Sequence, residues 1–123
     1  FVYSTGLPPA VIGAIDAALD LIPGMAEERR RLLDNAAFLR KRLNSLGLST
    51  GASATQIIPV IMGAENKALS LSAWLEELGF LAVAIRPPSV PADQSRLRIS
   101  LSAALDRRDV EALAGAIEQW TAK

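Results

Sequence analysis

Ile85-Arg86-Pro87-Pro88-Ser89-Val90-Pro91-Ala92-Asp93-Gln94-Ser95-Arg96-Leu97-Arg98-Ile99-Ser100 holds the end of one strand, a loop and a second strand. Three prolines stiffen the loop, because each fixes φ and removes a backbone donor. Pro87 and Pro91 also push Arg86 and Val90 toward extended backbone. A loop of this length that is stiffened in this way has something to hold in place. From Arg96 to Leu101 polar and apolar residues alternate with the period of a half-buried strand. Leu97, Ile99 and Leu101 take one face, and Arg96, Arg98 and Ser100 the other. Two arginines on one strand face, beside a rigid loop carrying the Ser89 hydroxyl, suit an anion such as a carboxylate, whose two oxygens match the guanidinium fork. An ordinary solvated strand face is the plainer reading of the same pattern.

Working outward, helical spacing recurs on both sides. Val11, Ile12, Ile15, Leu19 and Ile22 predict an alanine-rich helix that begins after Pro8-Pro9 and ends at Pro23-Gly24. A longer helix is predicted from Met25 to Leu46, with Leu32, Leu33, Ala36, Leu39 and Leu43 as its apolar stripe. Its charge runs, Glu27–Arg31 and Arg40–Arg42, read as a wet helix face, since acids precede bases at pairing distance and no aromatics are interleaved. Thr55–Met62 reads as a strand, and Pro59 assigns it to a sheet edge. Glu65–Leu78 reads as a helix with Leu69, Leu71, Ala73, Trp74, Leu75 and Leu78 apolar, Phe80–Ile85 as a strand, and Arg108–Trp120 as a helix capped by Asp106. The two tryptophans, Trp74 and Trp120, fall within apolar stripes and read as core or interface residues.

The order α-α-β-α-β-β-α predicts an α/β (α+β) unit. It has a small three-stranded, mainly antiparallel sheet with its third strand in the middle and its helices on one face. The Arg96/Arg98/Ser100 face is then left bare, like half of a site whose other half lies elsewhere. Composition limits the chemistry. The chain has 123 residues, half of them hydrophobic, enough for one domain with a core. Thirteen basic residues balance thirteen acidic ones, which gives no footprint for nucleic acid or an acidic membrane surface. The absence of cysteine excludes disulfides and thiolate metal sites, and the absence of histidine removes the commonest general base and metal ligand. No apolar run reaches membrane-spanning length, and no secretory segment is expected. No phosphate-cradling glycine loop is present. Lys41, Lys67 and Lys123 fall on polar faces or at the terminus, none in an apolar pocket that would activate an amine.

Ile85-Arg86-Pro87-Pro88-Ser89-Val90-Pro91, followed by Ser95-Arg96-Leu97-Arg98-Ile99-Ser100-Leu101-Ser102-Ala103-Ala104, resembles the C-terminal part of the 8-amino-7-oxononanoate synthases, a branch of the pyridoxal-phosphate-dependent α-oxoamine synthases. Tyr3-Ser4-Thr5 with Pro8-Pro9, and Thr55-Gln56-Ile57-Ile58-Pro59-Val60 with Gly63, resemble the same family in the same order, so the likeness covers essentially the whole chain. Sister families share the arginine strand but differ in the loop, and Arg86-Pro87-Pro88 resembles the biotin-pathway branch. The resemblance implies the C-terminal small domain of a fold type I enzyme. Residues 25–123 would form that domain, and residues 1–24 a segment and helix linking it to a large domain outside the chain.

It also implies a reaction, in which a pimeloyl thioester (pimeloyl-CoA or a pimeloyl carrier protein) condenses with L-alanine, with loss of CO2, on pyridoxal 5'-phosphate in a cytoplasmic homodimer. Arg98 then matches the arginine that holds the amino-acid carboxylate. Ser89, where threonine is common, lies along the acyl substrate, and Ser4-Thr5 approaches the cofactor phosphate across the dimer interface. The rigid loop makes Arg86 either a receiver for the far carboxylate of pimelate or a tie from the loop to the neighbouring domain, and Arg96 has the weaker claim to substrate. The family's Schiff-base lysine, its aspartate partner to the pyridine nitrogen and its stacked histidine lie upstream, so the chain is expected to be an inactive fragment of a longer enzyme. Leu105 stands where relatives often have histidine. Two other readings stay open. One is a stand-alone βαββα regulatory or interaction module, which the intact mass of the native polypeptide would separate. The other is a different α-oxoamine synthase of the 5-aminolevulinate synthase or 2-amino-3-ketobutyrate CoA ligase type, which a test of alanine against glycine or serine would separate.

Overall fold

A computed structural model describes residues 6–123. Helix α1 (Pro9–Leu21) runs into a 3-10 turn (Ile22–Gly24), followed by α2 (Ala26–Ser45), β1 (Ile57–Gly63), α3 (Glu65–Glu77), β2 (Val83–Ile85), β3 (Ser95–Ser100) and α4 (Arg107–Thr121). The sheet order is β1-β3-β2, and β3 pairs antiparallel with both neighbours. This is the predicted three-stranded arrangement, with the third strand in the centre. β1 lies at an edge, where the missing amide of Pro59 is tolerated.

Local chemistry sets the element ends. Asp106 caps α4 through a reciprocal pair: its Oδ1 accepts from Asp109 N–H at 3.0 Å, and Asp109 Oδ2 accepts from Asp106 N–H at 2.9 Å. Gly79, with φ of +84°, turns the chain out of α3, and Phe80 N–H closes back on Leu75 O at 2.8 Å. That closure shortens the expected Phe80–Ile85 strand. Phe80 is spent on the helix cap, and Ala82 O accepts from the Ser72 hydroxyl at 2.7 Å, so β2 begins only at Val83.

The core lies on one face of the sheet. Ile58 and Val60 of β1 and Leu97 and Ile99 of β3 meet Ala36, Leu39 and Leu43 of α2, Ala68, Leu71 and Leu75 of α3, and Val110, Leu113 and Ile117 of α4. Two expected stripes are corrected. On α2, Leu33 is 48% exposed, because 100° per residue carries it about 60° beyond Ala36, outside the arc of Ala36, Leu39 and Leu43; Asn35, about 40° beyond Leu39 on the other side of that arc, is buried instead. On α3, Leu69, Ala73 and Leu78 are exposed, and Ala68 joins Leu71 and Leu75 inside. The tryptophans are half-buried, with Trp74 Nε1 donating to Ala116 O at 2.9 Å and Trp120 Nε1 to the Ser70 hydroxyl at 3.3 Å.

The basic residues of α2 work as staples between elements. Arg31 donates to Ala103 O at 2.9 Å, Arg40 to Thr55 O at 2.6 Å, and Arg42 pairs with Glu118 of α4 at 2.6 Å. Helix α1 differs from the rest: it is the most continuously apolar helix, yet none of its residues is buried. Among the described residues, no single helix is long and apolar enough to cross a membrane.

Candidate functional site

The bare sheet face is built from the outward residues of three strands. Register pairs Arg98 with Pro59 of β1 and Val83 of β2, and Arg96 with Ile61 and Ile85. Side chains opposite one another across antiparallel strands lie about 4.5–5.5 Å apart at Cβ. Each arginine stem therefore rises between two apolar neighbours, which limit the directions its guanidinium can take.

The two arginines are not equivalent. Arg96 is held by its own loop: Nε donates to Gln94 O at 2.9 Å and Nη2 to Gln94 Oε1 at 3.1 Å. Arg98 is exposed and, among the described residues, has no hydrogen-bond or ion-pair partner. Its five donors are thus available, on a rigid central strand, to an anion brought to this face.

Arg86 faces the other way. Val83 and Ile85 share the open face with Arg96 and Arg98, whereas Ala84 pairs with buried Leu97, and Arg86 follows Ala84 in the alternation. Its Nη1 reaches Glu65 Oε1 in the first turn of α3 at 2.6 Å. The structure therefore ties Arg86 to its own domain. Ser89 is exposed in the loop beyond it, and its N–H closes a turn on Arg86 O at 3.0 Å. The Pro87–Pro88 peptide is cis. Ser4 and Thr5 lie outside the described residues. Glu65 and Gln94 were not singled out by the sequence. Glu65 is 21 positions from its partner, and only the β1–α3 corner brings them together.

The three lysines do not converge on this face. Lys41 and Lys67 are exposed on α2 and α3, and Lys123 Nζ lies 3.5 Å from the centre of the Trp74 ring. Among the described residues no cluster of acidic side chains could hold a metal ion.

The family model for aminotransferases of class I and II matches residues 1–117. The chain belongs to the aminotransferase class I and II family. A relative from Desulfosudis oleivorans, provisionally named 8-amino-7-oxononanoate synthase, is 65% identical over 120 residues, covering 98% of this chain and 31% of the relative. The serine palmitoyltransferase of Sphingomonas wittichii superposes with a TM-score of 0.89 at 28% identity, covering 98% of this chain and 31% of that one. A serine palmitoyltransferase from S. paucimobilis, solved with bound pyridoxal phosphate and myriocin, shares the fold with a TM-score of 0.87 at 24% identity, covering 95% of this chain and 30% of that one. The chain thus spans about a third of the length of the relatives it matches. These findings bear out the resemblance read from the arginine-proline loop and the arginine strand. They also bear out the α/β fold of a fold type I enzyme.

Proposed function

We propose that this chain is the small domain of an 8-amino-7-oxononanoate synthase, in which Arg98 holds the carboxylate of L-alanine. The observation that carries the reading is the Arg98 guanidinium on an open sheet face, unpartnered among the described residues, in a chain of this family. The name of the Desulfosudis oleivorans relative and the Arg86-Pro87-Pro88 loop support the biotin-pathway branch.

In the proposed reaction the bond from the alanine α-carbon to its carboxylate breaks and leaves as CO2. A bond forms from that α-carbon to the pimeloyl carbonyl carbon, the carbonyl–sulfur bond breaks, and the thiolate of CoA or of a carrier protein takes a proton from solvent and leaves as the thiol. Pyridoxal phosphate, when bound, supplies the electron sink for charge developing at the α-carbon. The described residues fit only part of such a site. Lys41, Lys67 and Lys123 are placed on outer surfaces and do not fit covalent attachment of a cofactor, so no step through it is assigned to them. Arg98 fits the substrate: its fork fixes both carboxylate oxygens and so sets the orientation of the bonds at the α-carbon. Once a covering domain excludes water, the apolar flanks Pro59 and Val83 strengthen that charge pair.

Ser89 lies on the acyl-donor side, on the loop that follows β2. The ion pair with Glu65 supports a third role for Arg86, a tether within its own domain in place of a tie to the neighbouring one. Residues 1–24 form the link to a further domain, which the exposed apolar surface of α1 supports. Ser4 and Thr5 approach the cofactor phosphate from a partner subunit, in a cytoplasmic homodimer. The test is turnover of the full-length protein: thiol release from pimeloyl-CoA that depends on L-alanine and is not replaced by glycine or serine. Preference for glycine or serine would move the chain to a sister family.

A further inference from the structure

The corner between β1 and α3 grips both ends of the proline loop. At one end Glu65 accepts from Arg86 Nη1 at 2.6 Å. At the other, Gly63 is the register partner of Ser95, and a Cβ on it would stand 3.7 Å from the Asp93 carbonyl oxygen. Gly63 has φ of +73°, a conformation that places the corner at the loop without a side chain between them. The loop also turns on itself twice, through Ser89 N–H to Arg86 O at 3.0 Å and Gln94 N–H to Pro91 O at 3.2 Å. The Gly63 grip is backbone and sits where β3 begins. The Glu65 grip is a side-chain pair and sits where β2 ends, three residues before Ser89.

We propose that Glu65 is a positioning residue for the acyl donor: by fixing Arg86 it fixes where the Ser89 hydroxyl stands relative to Arg98. This rests on the reading of the loop as the acyl-donor side. Two features make Glu65 suited to the task. Its place in the first turn of α3 favours the carboxylate through the helix dipole. The two side chains, 54% and 46% exposed, form a bond that substitution can release without opening the core.

Two measurements on the full-length protein test it: hydrogen exchange of the peptide spanning residues 86–94, and separate KM values for pimeloyl-CoA and L-alanine. A pair of this exposure predicts a change of roughly two- to five-fold. Glu65→Gln should speed exchange in the loop and raise KM for pimeloyl-CoA by that factor, leaving KM for alanine unchanged. The exchanged pair Glu65→Arg with Arg86→Glu should restore both in part, an arginine being less favourable at the helix start. Unchanged loop exchange in Glu65→Gln overturns the positioning role whatever the substrate. Faster exchange with unchanged or equally raised KM values overturns its link to the acyl donor. If the unmutated protein does not turn over alanine with pimeloyl-CoA, the failure belongs to the proposed reaction, and the exchange measurement still decides whether Glu65 holds the loop.

Discussion

The two faces of β3 are made by alternate residues of one short strand, and they are finished to different degrees. On the covered face Leu97 and Ile99 are buried against Val60, Ile58 and three helices, and every neighbour they need is in this chain. On the open face Arg98 is exposed between its cross-strand neighbours Pro59 and Val83, and Ser100 is exposed opposite Ile57. The covered face closes a core, and the open face presents the Arg98 guanidinium, which has no partner among the described residues.

The sharpest way to break the covered face is Leu97→Ala. Leu97 is fully buried at the centre of the central strand, so the substitution leaves a cavity lined by rigid neighbours. A loss of about 2–5 kcal/mol is expected in urea unfolding of the 123-residue chain. Arg98→Ala, one residue away, should change the same measurement by less than about 0.5 kcal/mol. Comparable losses for the two would mean that the faces are not divided as described.

Arg98→Ala should show its effect in substrate binding. Removing one partner of a desolvated charge pair costs on the order of 2–5 kcal/mol. In the full-length protein the affinity for L-alanine should fall accordingly. Arg98→Lys should fall between, since it keeps the charge but loses the fork. Normal alanine binding in Arg98→Ala would remove the carboxylate assignment.

Much of this division is legible in the sequence. The alternation from Arg96 to Leu101 announces both faces, and Pro59 announces an edge, because each depends only on local periodicity and on a missing donor. The helix stripes are legible in period but not in phase. Leu33 and Asn35 point about 160° apart, on opposite flanks of the Ala36, Leu39 and Leu43 arc, and only the packing of the partner elements decides which flank is inside. Helix α1 is the extreme case: its apolar spacing is plain, and the surface that covers it is not among the described residues. The site divides in the same way. Arg98 could be placed from alternation, whereas the ties of Arg86 to Glu65 and Arg96 to Gln94 arise from how a corner and a loop fold back.

A middle-sized effect tests the frame that holds β3 against its helices. Asp106 connects the end of β3 to α4 through the reciprocal cap with Asp109. Asp106→Ala should cost about 1 kcal/mol in thermal or urea unfolding, the usual worth of an N-cap. Because α4 lies on the covered side, alanine affinity in the full-length protein should stay the same. A fall in affinity without a fall in stability would mean that the two faces communicate through α4.

The smallest effect separates the two arginines of the open face. Arg96 shares its face with Arg98, but its guanidinium is already committed to Gln94 through two hydrogen bonds within the same loop end. Those bonds are exposed, so their loss should cost no more than about 0.5 kcal/mol in unfolding. With two of its five donors spent on Gln94 and its orientation set by them, Arg96 has less to offer a carboxylate than Arg98. Arg96→Ala should therefore leave the KM for alanine within about two-fold of the unmutated protein, an energy near RT ln 2 and far below the cost of losing a buried charge pair. Gln94→Ala sharpens the comparison, because it releases Arg96 while leaving Arg98 in place. If Arg96 is a second carboxylate ligand held in reserve, Gln94→Ala will tighten alanine binding and Arg96→Ala will abolish the gain. If Arg96 only ties the loop to the strand, as its bonds indicate, neither substitution will move alanine affinity, and the carboxylate will remain the business of Arg98 alone.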